Sequence, residues 1–323
     1  MAGGILKRKA QVAVNLESTE GTAIALGAAD AAFYVYEASF EPDIQITERN
    51  PLRSTLTNLA HFSGRRSGRI TFKTELVGSG TAGTAPAIGE ALKACGMKHI
   101  NTPGTSDAYK PTSVFTAGGN GSSATVGLFI DGLRYAIFGA RGTVKLSYTA
   151  GEPAYAEFDF LGVISSTTAV DDVALLTGIT YPAATPPIFL NATVTKESSD
   201  LVAENFSIDL GNELALRPDV TSENGYLSTK IVGRTPTGSC DPELNLVADR
   251  DDYGDLFDAT GFDAVCEIGS TAGNTITVTN ASNGAILSNV SLSDRNGIMV
   301  AGLDFALTST SASGDDELVL TFA

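Results

Sequence analysis

The 323-residue chain is long enough for one large domain or two of ordinary size. Its 43% hydrophobic and 18% charged residues exclude compositional disorder, and many Gly residues without any Trp favour short strands over long helices. Residues 1–162 contain 15 basic and 14 acidic side chains, whereas residues 163–323 contain 6 and 23. Such an acidic half argues against binding nucleic acid through neutralised phosphates, and it also favours solubility.

In chain order, the first half predicts a strand, "QVAVNL", within an N-terminal arm over residues 1–32. "AFYVYEASFEPDIQI" alternates as a strand that bends at Pro42. The polar stretch "TERNPLRSTLTNLAHFSGRRSG" follows and is too long for a routine hairpin turn. "RITFKTELVG" predicts the next strand.

A short helix is predicted in "TAPAIGEALKACG", because its apolar residues fall on one helical face and Gly96 can end it. We expect a loop from there through Ser123. "ATVGLFIDGLRYAIFGA" predicts a hairpin around Asp131-Gly132, and "GARGTVKLSYTAGEPAYAEFDFLG" predicts another around Ala150-Gly151.

The second half repeats this order of strands, polar excursion ("RPDVTSENG"), strand, helix and strands. Three local matches support the impression: they align Lys73 with Lys230, Gly96 with Gly261, and Gly151 with Gly314. Their shared order predicts a duplication, with chance similarity of two β-rich halves as the alternative.

The sequence motifs that could indicate a cofactor, a metal ion or a catalytic group are all incomplete. "GSGTAG" fits a dinucleotide fingerprint, but no parallel βαβ unit follows, so a flexible link is the better interpretation. "DRDDYGDLFDAT" lacks two ligands of a calcium loop and predicts an acidic helix or loop. Neither histidine has a metal-site or nucleophile pattern. The three cysteines lack CxxC spacing and predict small buried side chains rather than disulfides or a zinc site.

These observations predict no catalytic, cofactor-binding or metal-binding residue, and therefore not an enzyme. The N-terminus lacks the apolar core of a signal peptide, and no apolar run is long enough to span a bilayer, so we expect no membrane partner. The sharpest basic cluster, "SGRRSGR", contains Arg65, Arg66 and Arg69. In a chain this acidic, we expect it to contact acidic surfaces of another copy rather than nucleic acid.

Four segments together carry a family resemblance: "HFSGRRSGRITFKTELVGSGTAGTAPAIGEALKACGM", "GLRYAIFGARGTVKLSYTAGEPAYAEFDFLG", "NGYLSTKIVGRTPTGSCDPEL" and "GDDELVLTF". In this order they resemble the major tail tube proteins of long-tailed bacteriophages. The resemblance covers about residues 33–323 and rests on glycine-and-strand patterns.

The resemblance implies a mainly β fold built from a β-sandwich with a flanking helix. Together with the apparent duplication, it predicts two such domains in tandem, over residues 33–172 and 173–323 after the arm of residues 1–32. Strands of neighbouring subunits would join in a β-barrel around a channel for DNA, without specific DNA binding. Because the family's usual chain carries one unit and forms hexamers, two units here predict a trimeric, pseudo-hexameric ring. A plain hexamer is restored if there is no duplication.

Stacked rings would form a virion tail tube, assembled in the host cytoplasm, that meets the tape-measure, tail terminator and distal tail proteins. By position, the segments expected to reach other subunits are Arg49–Ser67, Arg217–Gly225 and Met1–Ala32. The contact residues expected in and beside them are Arg49, Arg53, His61, Arg65, Arg66, Arg69, Arg217 and Glu223. The alternative function is an adhesin or decorating module of a phage or cell surface, which is also β-rich and acidic.

Overall fold

The computed structural model describes residues 4–164, 170–197 and 199–323. Strands dominate these residues and two short helices accompany them, so the predicted mainly β class is confirmed. The sheets are antiparallel. Within the described residues of one chain they form no closed barrel, and a barrel shared between subunits stays a prediction.

Among its described residues, the first half contains nine strands and one α-helix, with a 3-10 helix at Ala28–Ala31. They are β1 (Ala10–Leu16), β2 (Tyr36–Arg49), β3 (Leu59–Glu75), α1 (Gly89–Ala94), β4 (Met97–Thr102), β5 (Ser106–Pro111), β6 (Ala124–Ile130), β7 (Leu133–Thr149), β8 (Tyr155–Ile164) and β9 (Val170–Asp172).

In the part of the second half that the structure describes there are twelve strands and one helix. They are β10 (Thr193–Lys196), β11 (Ser199–Asp200), β12 (Ala203–Asp209), β13 (Asn212–Pro218), β14 (Tyr226–Arg234), β15 (Thr237–Pro242), α2 (Asp252–Asp258), β16 (Gly261–Phe262), β17 (Ala264–Ile268), β18 (Ile276–Thr279), β19 (Ala285–Arg295), β20 (Ile298–Leu307) and β21 (Val319–Phe322).

A twelve-stranded sheet crosses both halves in the order β16-β19-β20-β15-β12-β7-β8-β3-β2. β6 and β9 also pair with β7, and β1 pairs with β6. A seven-stranded sheet has the order β11-β10-β17-β18-β21-β5-β4. Buried side chains from both sheets and from α1 belong to one contiguous core, which includes Phe158, Leu92 and Phe322. The two halves therefore share their sheets and their core.

Two long hairpins project from the large sheet. In the first hairpin, β2 and β3 are continuous strands that pair as far as Arg49 and Leu59. In the second hairpin, β12 bends into β13 at Gly211, and β15 continues from β14 after Thr235. Gly211 has a φ of +61°, and a Cβ there would lie 2.2 Å from the carbonyl oxygen of Thr235. Only glycine fits this bend without strain.

Two loop predictions were wrong. The long polar stretch is mostly strand, and the connection between β2 and β3 is limited to residues 50–58. Sequence alternation did not reveal these strands because both of their faces are exposed there. The loop expected before Ser123 contains the β4–β5 hairpin, which Met97 and Tyr109 anchor in the core.

The segment predicted as an N-terminal arm contains a strand that belongs to the large sheet. β1 pairs along its whole length with β6, and Val12, Ala13 and Val14 are buried. Residues 4–9 precede this strand and are exposed, whereas residues 1–3 lie outside the described residues. A reaching role can therefore apply to the segment before Ala10, and not to β1 itself.

Candidate assembly edges

The two halves join through backbone pairing of β12 with β7. Ser207 lies opposite Ser147, and Ile208 lies opposite Leu146. Ile208 and Leu146 are both buried, while Asp209 and Lys145 are opposite each other on the other face. This junction shows how a first strand of one half can extend the sheet of the other.

Within the large sheet, each half contains a set of four neighbouring strands, and the two sets have the same order. The first half gives β2-β3-β8-β7, and the second gives β12-β15-β20-β19. In the first set, β3 of the projecting hairpin pairs with β8, which is the second strand of the β7–β8 hairpin. In the second set, β15 pairs with β20, which is the second strand of the β19–β20 hairpin. Both first strands also have a register shift near their start, between Tyr36 and Ser39 and between Ala203 and Phe206.

In each set, one row of paired residues runs across the four strands, and the two rows show which residues of the two sets are equivalent. A hydroxyl pair starts each row: Ser39 Oγ lies 2.7 Å from Thr71 Oγ1, and Ser207 Oγ lies 2.9 Å from Ser239 Oγ. Continuing from strand to strand, the rows are Ser39-Thr71-Asp159-Thr143 and Ser207-Ser239-Asp304-Asn289. An aspartate thus occupies the same place in β8 and β20.

This register aligns sequence patterns that the sequence reasoning missed. "AEFDF" of residues 156–160 falls on "AGLDF" of residues 301–305, and "VKLS" of residues 144–147 falls on "VSLS" of residues 290–293. The earlier match of Lys73 with Lys230 is wrong in register, because Lys73 pairs with β8 and Lys230 lies in β14. Likewise, Gly314 precedes β21 of the smaller sheet, whereas Gly151 precedes β8 of the large one.

Two long edges of the large sheet carry no neighbouring strand within the described residues. β2 pairs only with β3, so its other edge is open. On β19, β16 covers only Ala285 and Ile286, and the segment Ser288–Arg295 pairs with β20 alone. α2 packs beside β19 but leaves Leu292 half exposed. Open edges of this kind are ready to pair with another chain.

The face of the large sheet opposite the core is polar, and we call it the polar face. Its side chains come from alternate positions of the eight strands, among them Glu41, Lys73, Lys145, Glu157, Asp159, Asp209, Asp241 and Asp304. Arg69 pairs with Asp159 at 2.5 Å, and Lys73 lies 3.7 Å from Glu157. Burial raises the pKa of Asp159, and the charge of Arg69 acts against that rise.

Three predicted contact residues lie at the exposed end of the first hairpin. The guanidinium of Arg49 lies 4.7 Å from the ring centroid of Phe62, across the two strands. Arg53 donates to the carbonyl oxygen of Thr57 at 2.6 Å within the connecting loop, and His61 is exposed on β3.

Four other predicted residues lie where the second hairpin meets the first. Arg65 lies over the ring of Tyr226 at 5.4 Å, and the backbone N–H of Arg66 donates to Asn224 O at 3.1 Å. Arg217 and Glu223 are exposed on the same hairpin end as these partners. The eighth residue, Arg69, lies apart from them on the polar face. The structure thus gives Arg65, Arg66 and Arg69 contacts within their own chain.

Glu20 fastens β14 to the first half, and sequence reasoning missed it. Its carboxylate accepts from Ser228 Oγ at 2.5 Å, Lys230 Nζ at 2.8 Å and Arg141 at 3.3 Å. Partial burial alone would raise its pKa, but these hydrogen bonds and the charges of Arg141 and Lys230 lower the pKa to about 2. No local motif marks this cluster, because its members lie up to 210 residues apart.

Among residues 4–164, 170–197 and 199–323, no group of three or more His, Cys, Asp or Glu side chains could hold a metal ion. Cys95, Cys240 and Cys266 are free and buried, and burial raises the pKa of each thiol. Within the same residues, no helix is long and apolar enough to cross a bilayer.

No protein-family model matches the chain, and no curated protein matches it at a significant level. The function is therefore inferred from the sequence resemblance, the strand order, the open edges and the polar face.

Proposed function

We propose that this chain is a structural protein whose copies join edge to edge into rings, and that stacked rings form the tail tube of a long-tailed bacteriophage. The observation that carries this proposal is the β7–β12 junction. It joins two strand sets of the same order within one chain and leaves the corresponding edges, β2 and β19, open. Repeating the same junction between chains would use both open edges.

Ring closure follows from the direction of this contact. The edge of β2 differs from the edge of β19, so the contact is head-to-tail, and head-to-tail contacts generate rings when the rotation closes. Three chains would supply six strand sets in a trimeric, pseudo-hexameric ring. A closed ring also removes the edges that would otherwise favour uncontrolled aggregation.

The polar face is proposed to line the channel. The opposite face of the large sheet is buried in the core, so the polar face is the one left for a lumen. Its carboxylates would repel DNA phosphates and offer few counter-charges, which would allow DNA to pass without sticking. On this proposal DNA is a transient passenger and the protein needs no cofactor.

The exposed end of the first hairpin is proposed to contact the next ring. Its connecting loop, residues 50–58, carries Leu52 and Leu56 fully exposed, which is costly for a chain that remains alone. Tube ends would meet the tape-measure, tail terminator and distal tail proteins that the resemblance implies.

Light scattering of the purified full chain tests the assembly directly. The proposal predicts that mass rises with concentration from one chain to a closed ring of three, and then to stacks. A ring of six chains would contradict the pseudo-hexamer but preserve the tube. Monomers at every concentration that bind glycans or cell surfaces would contradict the tube and favour the adhesin alternative.

A further inference from the structure

We propose a specific register for the contact between copies: β2 of one copy pairs antiparallel with the Ser291–Arg295 part of β19 of a second copy. In this register Ser39 lies opposite Ser293, and Phe40 lies opposite Leu292. The inference rests on the proposed ring assembly and specifies which atoms form it.

The register comes from the junction already present within the chain. The paired rows make Ser39 equivalent to Ser207, and Thr143 equivalent to Asn289. Four residues further along β7 and β19, Ser147 is therefore equivalent to Ser293. Because Ser207 lies opposite Ser147 within the chain, Ser39 falls opposite Ser293 between chains.

The side chains that this register brings together are complementary. Phe40 is half-buried and its ring lies 5.1 Å from Tyr135, while Leu292 is half exposed. Together they reproduce the apolar pair Ile208–Leu146 of the internal junction. Each would cover apolar surface that the other leaves open to water.

A groove beside the start of β2 provides room for the end of the β19–β20 hairpin. The groove has a volume of roughly 1070 Å³, and its lining includes the apolar or aromatic side chains of Ile5, Tyr34, Tyr36, Ile130, Leu133 and Tyr135. Antiparallel pairing places the hairpin end next to this groove. That end carries Ile298 and Met299, which are about half exposed in one chain. Inserting them would remove apolar surface on both sides from water.

The internal junction contains a contact of the same kind. There, the end of the β7–β8 hairpin packs on Phe189, which lies in the segment between the halves. Gly151 N donates to Phe189 O at 3.1 Å, and Phe189 N donates to Glu152 O at 2.8 Å. The Phe189 ring is buried 5.7 Å from that of Tyr148. In the contact between copies, the groove beside β2 takes the place of Phe189.

Disulfide formation in the full chain tests the register. Ser39→Cys with Ser293→Cys places two thiols opposite each other, within the Cα separation that a disulfide spans. Mild oxidation should convert most of the protein into covalent oligomers on a non-reducing gel. Ser147→Cys with Ser207→Cys is the matched control, because these residues face each other within one chain and should give a bridged monomer.

Displaced pairs make the test specific. Ser39→Cys with Ser291→Cys, or with Arg295→Cys, moves one thiol about 7 Å along the strand, beyond disulfide reach. These pairs should link several-fold less than the Ser293 pair. If tubes form but the Ser293 pair links no better than the displaced pairs, the register is wrong and the tube function stands. If nothing assembles and nothing links, both proposals fail.

A substitution in the strand contact gives a second, independent test. Leu292→Glu should abolish rings and stacks, because it puts a charge against Phe40, while the monomer's melting temperature changes little. Val114→Glu replaces another exposed apolar residue, which follows β5 of the seven-stranded sheet rather than lying on β2 or β19, and should assemble normally. Normal assembly of Leu292→Glu would overturn the inference.

Discussion

At the scale of single residues, Glu20 has the clearest role. Its carboxylate reaches Arg141 on β7 and both Ser228 and Lys230 on β14, and so ties the second hairpin to the first half. Arg141 is buried, and its guanidinium also donates to the carbonyl oxygen of Thr229. Losing the Glu20 charge would leave a buried cation with weaker compensation, which is costly.

Glu20→Gln is expected to lower the free energy of unfolding at pH 7 by about 1–2 kcal/mol, as for hydrogen bonds to a charged group that is partly solvated. Because the folded pKa is lowered to about 2, the carboxylate's contribution is complete above its ordinary value of 4.5. That contribution is lost as the pH falls from 4.5 towards 2. Urea unfolding at several pH values should therefore show a shallower acid dependence for Glu20→Gln.

The exposed Glu48→Gln is the control for this substitution and should keep the acid dependence of the unmodified chain. An equal stability of Glu20→Gln and the unmodified chain at pH 7 would show that the cluster does not fasten β14.

At the scale of elements, the two projecting hairpins differ in how far they pack against their own chain. The second hairpin bends at Gly211 and lies against its own chain, where Ser228 and Thr229 are buried. The first hairpin is long and exposed towards its end. The bend at Gly211 therefore directs the second hairpin onto its own chain, whereas the first hairpin stays exposed and available to other copies.

Shortening the first hairpin tests its proposed reach between rings. Residues 50–58 can be replaced by Asn-Gly, a favoured two-residue turn between antiparallel strands. The melting temperature should be nearly unchanged because the removed residues are exposed. Single rings should form without stacking, as measured by sedimentation. Stacks of normal length would contradict the role of this loop.

Sequence reasoning succeeded where the signal was local. The hairpin at Asp131-Gly132 follows from its turn residues, both of which have positive φ, and α1 follows from its apolar face. It failed for β4 and β5, whose anchors Met97 and Tyr109 stand among turn-forming residues. The open edges could not be predicted, because pairing between distant strands is decided by the whole sheet.

The similarity between the two strand sets was also difficult to recognise from local sequence patterns. Equivalent strands share short patterns such as "VKLS" and "VSLS", which lie 146 positions apart and are too brief to stand out alone. Only the ladder of paired residues gave their register. The local strand and helix patterns could be predicted from the sequence, whereas β4, β5 and the register between the two strand sets required the structure.

At the scale of the whole molecule, the acidic second half is proposed to let DNA pass through the channel by repelling its phosphates. Asp304→Lys changes the charge of the polar face at an exposed position of β20. Tubes of this variant should assemble and should retain duplex DNA at low salt, with release as salt rises. A filter-binding assay against salt concentration measures the change.

Glu267→Lys makes the same change of charge at an exposed position of the seven-stranded sheet, which the account places away from the channel. If Glu267→Lys tubes retain DNA within the lumen as strongly as Asp304→Lys tubes, the polar face does not line the channel.

Negative-stain electron microscopy of the purified full chain at high concentration tests the central claim most directly, because an image shows whether the open edges of β2 and β19 are used. The account predicts rings and hollow filaments about ten nanometres wide or less, a size set by a few domain diameters. A field of separate, solid particles of single-chain size would contradict it.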